Sequence, residues 1–178
     1  MIKWSKITLT ELAGFVSEEL RKRGIDTILV GGACVTIYSK NRYQSYDLDY
    51  ITFEDMKKVK KALQEMGFTE KNKYFQHEGC PWFLEFVSPP IAIGNEPIRE
   101  FNQVETSFGK IKLLHPVDSV KDRLANFYHW NDKQGLEQAI NICLEQNIDL
   151  KQIERWSLQE NQLEKFEIFM SKLNKVKE

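Results

Sequence analysis

The segment Thr27-Ile28-Leu29-Val30 runs without interruption into Gly31-Gly32, and this junction constrains the chain more than any other feature. A β-branched and apolar run of that length predicts a short buried strand, and the paired glycines predict a tight turn at its end. Ala33 to Ser39 then suit a short helix, so a strand enters a helix through a turn that carries no side chain. Backbone N–H groups and a helix amino terminus can approach a phosphate closely at such a place, although two glycines alone are equally explained by a turn without a ligand.

Upstream, Leu12, Phe15, Val16 and Leu20 recur at helical spacing after the capping candidates Thr8 and Thr10, and the helix stops at Gly24. Downstream, Tyr46, Leu48, Tyr50 and Thr52 alternate with Asp47, Asp49 and Ile51, which predicts a strand with both aspartates on one wet, acidic face. Phe53-Glu54-Asp55 opens a lysine-rich amphipathic helix with Met56, Val59, Leu63 and Met66 inward, closed by Gly67. Strand character returns in Tyr74 to His77 and in Trp82 to Val87, the second expected to be fully buried except at Glu85. A loop containing Pro89, Pro90, Gly94 and Pro97 leads to strand candidates around 101–106 and 110–114, joined by a turn that contains Gly109. After His115-Pro116 only helical spacing remains, through Val120, Leu124 and Phe127, then Leu136, Ile140 and Leu144. Asp149 and Ser157 are cap candidates for two more helices, the last carrying Leu163, Phe166, Phe169, Met170 and Leu173.

A chain of 178 residues can bury one sizeable core, or a core with a small helical appendage. The formal net charge of −1 gives no global pull toward nucleic acid or an anionic membrane, so an acidic ligand must be met by local charges. Cys34, Cys80 and Cys143 are odd in number and form no CxxC pair, which argues against a disulfide framework or zinc site and fits a reducing cytoplasm. They read as small buried hydrophobes. No apolar run approaches a membrane span, and no membrane partner is expected.

Two aspartates one residue apart on a strand project side by side, and a third carboxylate from a neighbouring strand would complete a site for a hard divalent cation. Glu85 is that third acid, because it interrupts the apolar run Trp82-Phe83-Leu84-Glu85-Phe86-Val87, where an unpaired carboxylate is disfavoured. Mg²⁺, or Mn²⁺ in its place, is the implied cofactor. The competing readings are a solvated face for Asp47 and Asp49, and a structural ion pair for Glu85. His77, His115 and His129 are too scattered for a ligand set, and only the strand of His77 is expected to adjoin that of Glu85. Trp82, Trp130, Trp156 and Tyr128 read as packing residues.

Val30-Gly31-Gly32, fourteen intervening residues, then Asp47-Leu48-Asp49-Tyr50 resembles the strand, glycine turn, helix and Asp-x-Asp signature of the DNA polymerase β-like nucleotidyltransferase superfamily. The resemblance implies that Gly31 and Gly32 border a triphosphate, that Asp47 and Asp49 bind metal, and that Glu85 assists them or deprotonates an acceptor hydroxyl. It further implies phosphate donors at Lys40, Arg42 and Ser45, just before the aspartates. The last third is similar to the helical part of compact AbiEii-type members, with Pro116 to Lys121 matching their Pro-x-x-x-x-Lys helix and placing Lys121 among the nucleotide-binding candidates. At the next helix the chain departs from them, carrying Gly135 and Gln138 where those relatives usually have aspartates.

The expected fold is α+β: a small mixed β-sheet nucleotidyltransferase core over 1–115, followed by a helical carboxy-terminal bundle over 116–178 that packs on the core and closes over the site. The expected function is Mg²⁺-dependent transfer of a nucleoside monophosphate from a nucleoside triphosphate to a hydroxyl on a small molecule, an RNA end or a protein. The alternative is a catalytically silent protein of that fold that binds a protein partner in a toxin–antitoxin or regulatory pair.

Overall fold

The computed structural model describes residues 1–178. It divides into two compact units, one formed by Met1–Ala33, Ser45–Pro90 and Phe101–Leu114, the other by Cys34–Gln44, Ile91–Glu100 and His115–Glu178.

The first unit is a seven-stranded mixed sheet with helices. Its elements are α1 (Leu9–Lys22), β1 (Ile28–Val30), the start of α2 (Gly32–Tyr38), β2 (Asp47–Ile51), α3 (Met56–Glu65), β3 (Phe68–Lys71), β4 (Tyr74–His77) and β5 (Phe83–Val87). Strands β8 (Asn102–Thr106) and β9 (Gly109–Leu113) complete it after a small hairpin, β6 (Ala92–Ile93) and β7 (Glu96–Pro97), that belongs to the second unit. The strand order is β3-β4-β5-β2-β1-β9-β8. β1 runs antiparallel to β2 and parallel to β9, and β2 runs parallel to β5, which makes the sheet mixed.

Thr8 caps α1 with a reciprocal box: its side chain accepts from Glu11 N at 3.2 Å, and the Glu11 carboxylate accepts from Thr8 N at 2.8 Å. Leu12, Ala13, Val16 and Leu20 form the buried stripe of that helix. The buried Tyr50 hydroxyl on β2 donates to Ala13 O at 3.1 Å, so α1 lies against the sheet face that carries Leu48 and Tyr50. α3 is capped by Asp55, and Val59, Ala62 and Leu63 are its buried residues. Met56 is exposed and Met66 only half-buried, contrary to the inward stripe expected from spacing, because a helix of ten residues leaves both at its ends.

Three further corrections belong here. β3 has no counterpart in the sequence reading, since Phe-Thr-Glu-Lys buries Phe68 alone and shows no apolar alternation. β5 is not buried throughout: Leu84 is, but Phe83, Phe86 and Val87 are half-buried like Glu85. Gly109 begins β9 and does not sit in the turn before it.

The second unit holds α4 (Pro116–Trp130), α5 (Lys133–Glu145), α6 (Leu150–Gln159) and α7 (Leu163–Lys177) with the β6-β7 hairpin. Asp132 and Asp149 cap α5 and α6 by accepting from Gln134 N and Lys151 N at 2.9 and 3.1 Å. Ser157 is no cap. It lies within α6, fully buried, and donates to Ile153 O at 2.7 Å while meeting the Tyr128 hydroxyl at 2.7 Å. Phe166, Phe169 and Leu173 are the buried face of α7, and Trp156 and Tyr128 stack in the interior. Trp130, expected to pack, is 81% exposed at the end of α4. No helix is long and apolar enough to cross a membrane.

Candidate metal centre

The acids are brought together by register. β2 pairs with β1 on one side and β5 on the other, with Asp49 opposite Val30 and Glu85, and Asp47 opposite Phe83. Because side chains alternate along a strand, Asp47, Asp49, Phe83 and Glu85 share the face opposite Leu48, Tyr50 and Leu84. One carboxylate oxygen from each of Asp47, Asp49 and Glu85 lies within 4.8 Å of the others, all three residues being half-buried.

Each acid is held by a different neighbour. The buried Ser45 hydroxyl donates to Asp47 Oδ1 and to Asp47 O, each at 3.0 Å, which orients the first carboxylate. Asp49 lies against the bare α-carbon of Gly31, where a Cβ would fall 2.5 Å from Asp49 Oδ2. Gly31 has φ +70°, so turn geometry and the close carboxylate both select glycine. Gly32 opens α2 directly behind it. Glu85 accepts from Lys73 Nζ at 2.9 Å, and that ammonium also sits 4.9 Å from the centre of the Tyr74 ring. The Lys73 ammonium is held above the usual lysine range, first by its bond to Glu85 and then by Tyr74.

Three oxygen donors at this spacing fit a hard dication such as Mg²⁺ or Mn²⁺, which takes carboxylates in preference to thiolate or imidazole. A cation also relieves the mutual repulsion of three carboxylates on one face.

Lys73 and its surroundings were missed in the sequence. Tyr74 stands opposite Glu85 across the β4-β5 pairing, and its ring meets that of Phe83 at 5.9 Å, so an aromatic pair flanks the acids. Lys73 lies in the turn just before Tyr74, and only the pairing of β4 with β5 brings it beside Glu85.

The sequence candidates Lys40, Arg42 and Lys121 lie in the second unit. Lys40 Nζ and Arg42 Nε both engage Glu145, at 3.1 and 2.7 Å, and these bonds hold its carboxyl below the usual range, that from Arg42 first. Lys121, whose side chain is only 6% exposed, pairs with Glu96 Oε2 at 2.9 Å. Burial raises the carboxyl of Asp118 nearby, with Lys121 and His115 opposing. His77 is occupied structurally: its ring stacks on Trp4 at 3.6 Å. The three cysteines are free and buried, and burial pushes the Cys143 thiol up to about 12, which leaves it inert. Gly135 and Gln138 are packing positions. A Cβ at Gly135 would meet Arg123 O at 2.6 Å, and Gln138 accepts from Arg123 Nη1 at 3.3 Å.

No family model matches the sequence, and no curated protein does. Solved structures do match the fold. The crystal structure of an antigenic nucleotidyltransferase-like protein from Paracoccidioides brasiliensis superposes with a TM-score of 0.59 at 15% identity, covering 75% of this chain and 74% of that one. The crystal structure of ANT(2")-Ia in complex with adenylyl-2"-tobramycin superposes with a TM-score of 0.50 at 12% identity, covering 96% and 98%. The chain therefore has the nucleotidyltransferase fold.

Proposed function

We propose that the protein is a Mg²⁺-dependent nucleotidyltransferase that moves a nucleoside monophosphate from a nucleoside triphosphate to a hydroxyl acceptor. The observation that carries this reading is the convergence of Asp47, Asp49 and Glu85 within 4.8 Å on one sheet face, beside the Gly31 turn. The fold neighbour that holds adenylyl-2"-tobramycin supports it, since that ligand is a nucleotide joined to a small molecule. Fold alone does not establish chemistry, so the site has to carry the argument.

In this reading Asp47 and Asp49 are the principal metal ligands, with Ser45 fixing the rotamer of Asp47. When bound, Mg²⁺ would neutralise phosphate charge and clamp phosphate oxygens for in-line displacement. Gly31 and Gly32 leave room for phosphate at the start of α2. Glu85 completes the ligand set or accepts the proton of the attacking hydroxyl. Lys40, Arg42 and Lys121, paired with Glu145 and Glu96 within the second unit, are proposed nucleotide-binding residues on the strength of the sequence resemblance.

The test is incubation with each of four labelled triphosphates and Mg²⁺ in the presence of total RNA, cell extract, or the protein alone. Label moves to an acceptor in the wild type and not in Asp49→Asn. In parallel, Mg²⁺ with the right triphosphate raises the melting temperature more than either alone, by about 2.7 kcal/mol of stabilisation at roughly 100 times the dissociation constant. No transfer and no joint stabilisation with any common nucleotide would overturn the reading. The second reading, a silent scaffold for a protein partner, is favoured by Gly135 and Gln138 serving packing where relatives carry aspartates.

A further inference from the structure

Glu85 has two claims on it. It is the third ligand of the candidate metal centre, and its Oε1 already accepts from the Lys73 ammonium at 2.9 Å. We propose that Lys73 is the resident counter-ion of Glu85 and is displaced when a divalent cation takes that carboxylate, so that Lys73 sets how tightly the centre holds metal. This rests on the metal reading above.

The asymmetry of the pair supports exchange. The Glu85 side chain is 16% exposed on a paired strand, whereas that of Lys73 is 63% exposed at the β3-β4 turn, beside Asn72 with φ +58°. The acid is fixed and the cation is free to swing. A lysine ammonium is a compact point charge on a flexible stem, and an exposed pair of this kind holds its partner weakly. An oxygen that coordinates Mg²⁺ at about 2.1 Å has its charge drawn to a dication, and an ammonium within hydrogen-bond distance of that oxygen is then repelled by the metal. Lys73 does not lose every contact on leaving, because the Tyr74 ring lies 4.9 Å beneath it and offers its π-face. The same hairpin therefore provides a place for the displaced cation.

Mn²⁺ binding to the full chain, followed by electron paramagnetic resonance of the free ion without nucleotide, tests the exchange. Lys73→Met keeps an unbranched stem over Tyr74 and removes the charge. It binds Mn²⁺ about two- to fivefold more tightly than the wild type, the range that loss of an exposed pair corresponds to. Glu85→Gln weakens binding, and adding Lys73→Met to it brings no further gain, because the carboxylate contested by the two cations is gone. Lys71→Met, on the same hairpin, measures the general effect of removing one nearby positive charge. Equal Mn²⁺ affinity in wild type and Lys73→Met, an undiminished gain in the Glu85→Gln background, or an equal gain from Lys71→Met overturns the proposal while leaving the metal site standing. Absence of Mn²⁺ binding in wild type and Lys73→Met alike overturns both the proposal and the metal reading.

Discussion

Replacing Gly31 by alanine separates two physical effects that meet at one α-carbon. The first is conformational: at φ +70° a Cβ crowds the following carbonyl, which costs about 1–2 kcal/mol for a residue other than glycine. The second is local: the new methyl would fall 2.5 Å from Asp49 Oδ2 and 3.4 Å from its Cγ, so the carboxylate or the turn must move. Gly79 supplies the control, since its φ is +76° and a Cβ there meets nothing within 4 Å. Gly79→Ala therefore reports the conformational effect alone, and Gly31→Ala should exceed it by about 1–2 kcal/mol, the scale of a forced core displacement.

For a domain of this size each kcal/mol shifts the melting temperature by about 2–4 °C, so the two variants separate clearly in a thermal melt followed by circular dichroism. Asp49→Ala provides the second arm. Removing the carboxylate relieves the clash but not the strain, so Gly31→Ala in that background should fall to the level of Gly79→Ala, a coupling of about 1 kcal/mol or more. Equal losses in Gly31→Ala and Gly79→Ala, with additivity across the Asp49 cycle, would refute the packing of Asp49 on the turn. The functional corollary is that Gly31→Ala loses Mn²⁺ affinity as well, because Asp49 is pushed from its place beside Asp47 and Glu85.

Asp47→Asn and Asp49→Asn each abolish Mg²⁺-dependent transfer while leaving melting temperature unchanged or slightly raised, since one of three mutually repelling carboxylates is neutralised; wild-type transfer by the double variant would defeat the assignment. Gly135→Ala lowers the melting temperature although alanine favours helices by about 1 kcal/mol, because its Cβ meets Arg123 O at 2.6 Å; a stabilised variant would show that α4 and α5 do not approach this closely. Burial raises the Tyr128 hydroxyl from about 10 to about 12, so the folded state favours the neutral phenol. Its contribution is complete below pH 10 and is lost as pH rises toward 12; melts over that range should show a steeper decline in wild type than in Tyr128→Phe, and parallel curves would contradict it.

The part of the fold legible in the sequence is the part where burial follows a simple period. Ile28 to Val30 and Asp47 to Ile51 show their faces, because one is an apolar run and the other strictly alternates. Phe68 to Lys71 shows nothing, since an edge strand that pairs only with β4 needs one buried anchor and leaves its other side chains to solvent. Ser157 misled for a related reason: a hydroxyl mid-helix that bonds Ile153 O and Tyr128 looks in sequence like a cap. For the site, Asp47 and Asp49 were readable from alternation, and Glu85 from its intrusion into an apolar run. β5 is half-buried, so Glu85 intrudes on a less apolar environment than the sequence run suggests. Lys73 was not readable because its partnership depends on how β4 registers against β5, a long-range fact that no local pattern carries.

Gly135 and Gln138, both on α5, are packed against α4. An aspartate at 135 would have to place a Cβ 2.6 Å from the Arg123 carbonyl, so the close approach of α4 and α5 selects glycine there. At 138 the amide accepts from Arg123 while remaining 4% exposed, a position where a shorter charged group would need a different partner. Both positions thus serve packing within the second unit. If the protein transfers nucleotides, Asp47, Asp49 and Glu85 of the first unit are the acids that would hold the metal, and the metal would in turn offset phosphate charge. Introducing aspartate at 138 then adds no activity, whereas a protein silent for want of acids on α5 would gain transfer only when aspartates stand at both 135 and 138. Measuring transfer in Gln138→Asp and in the paired Gly135→Asp, Gln138→Asp variant distinguishes the two readings, with the melt of the paired variant checking that it still folds.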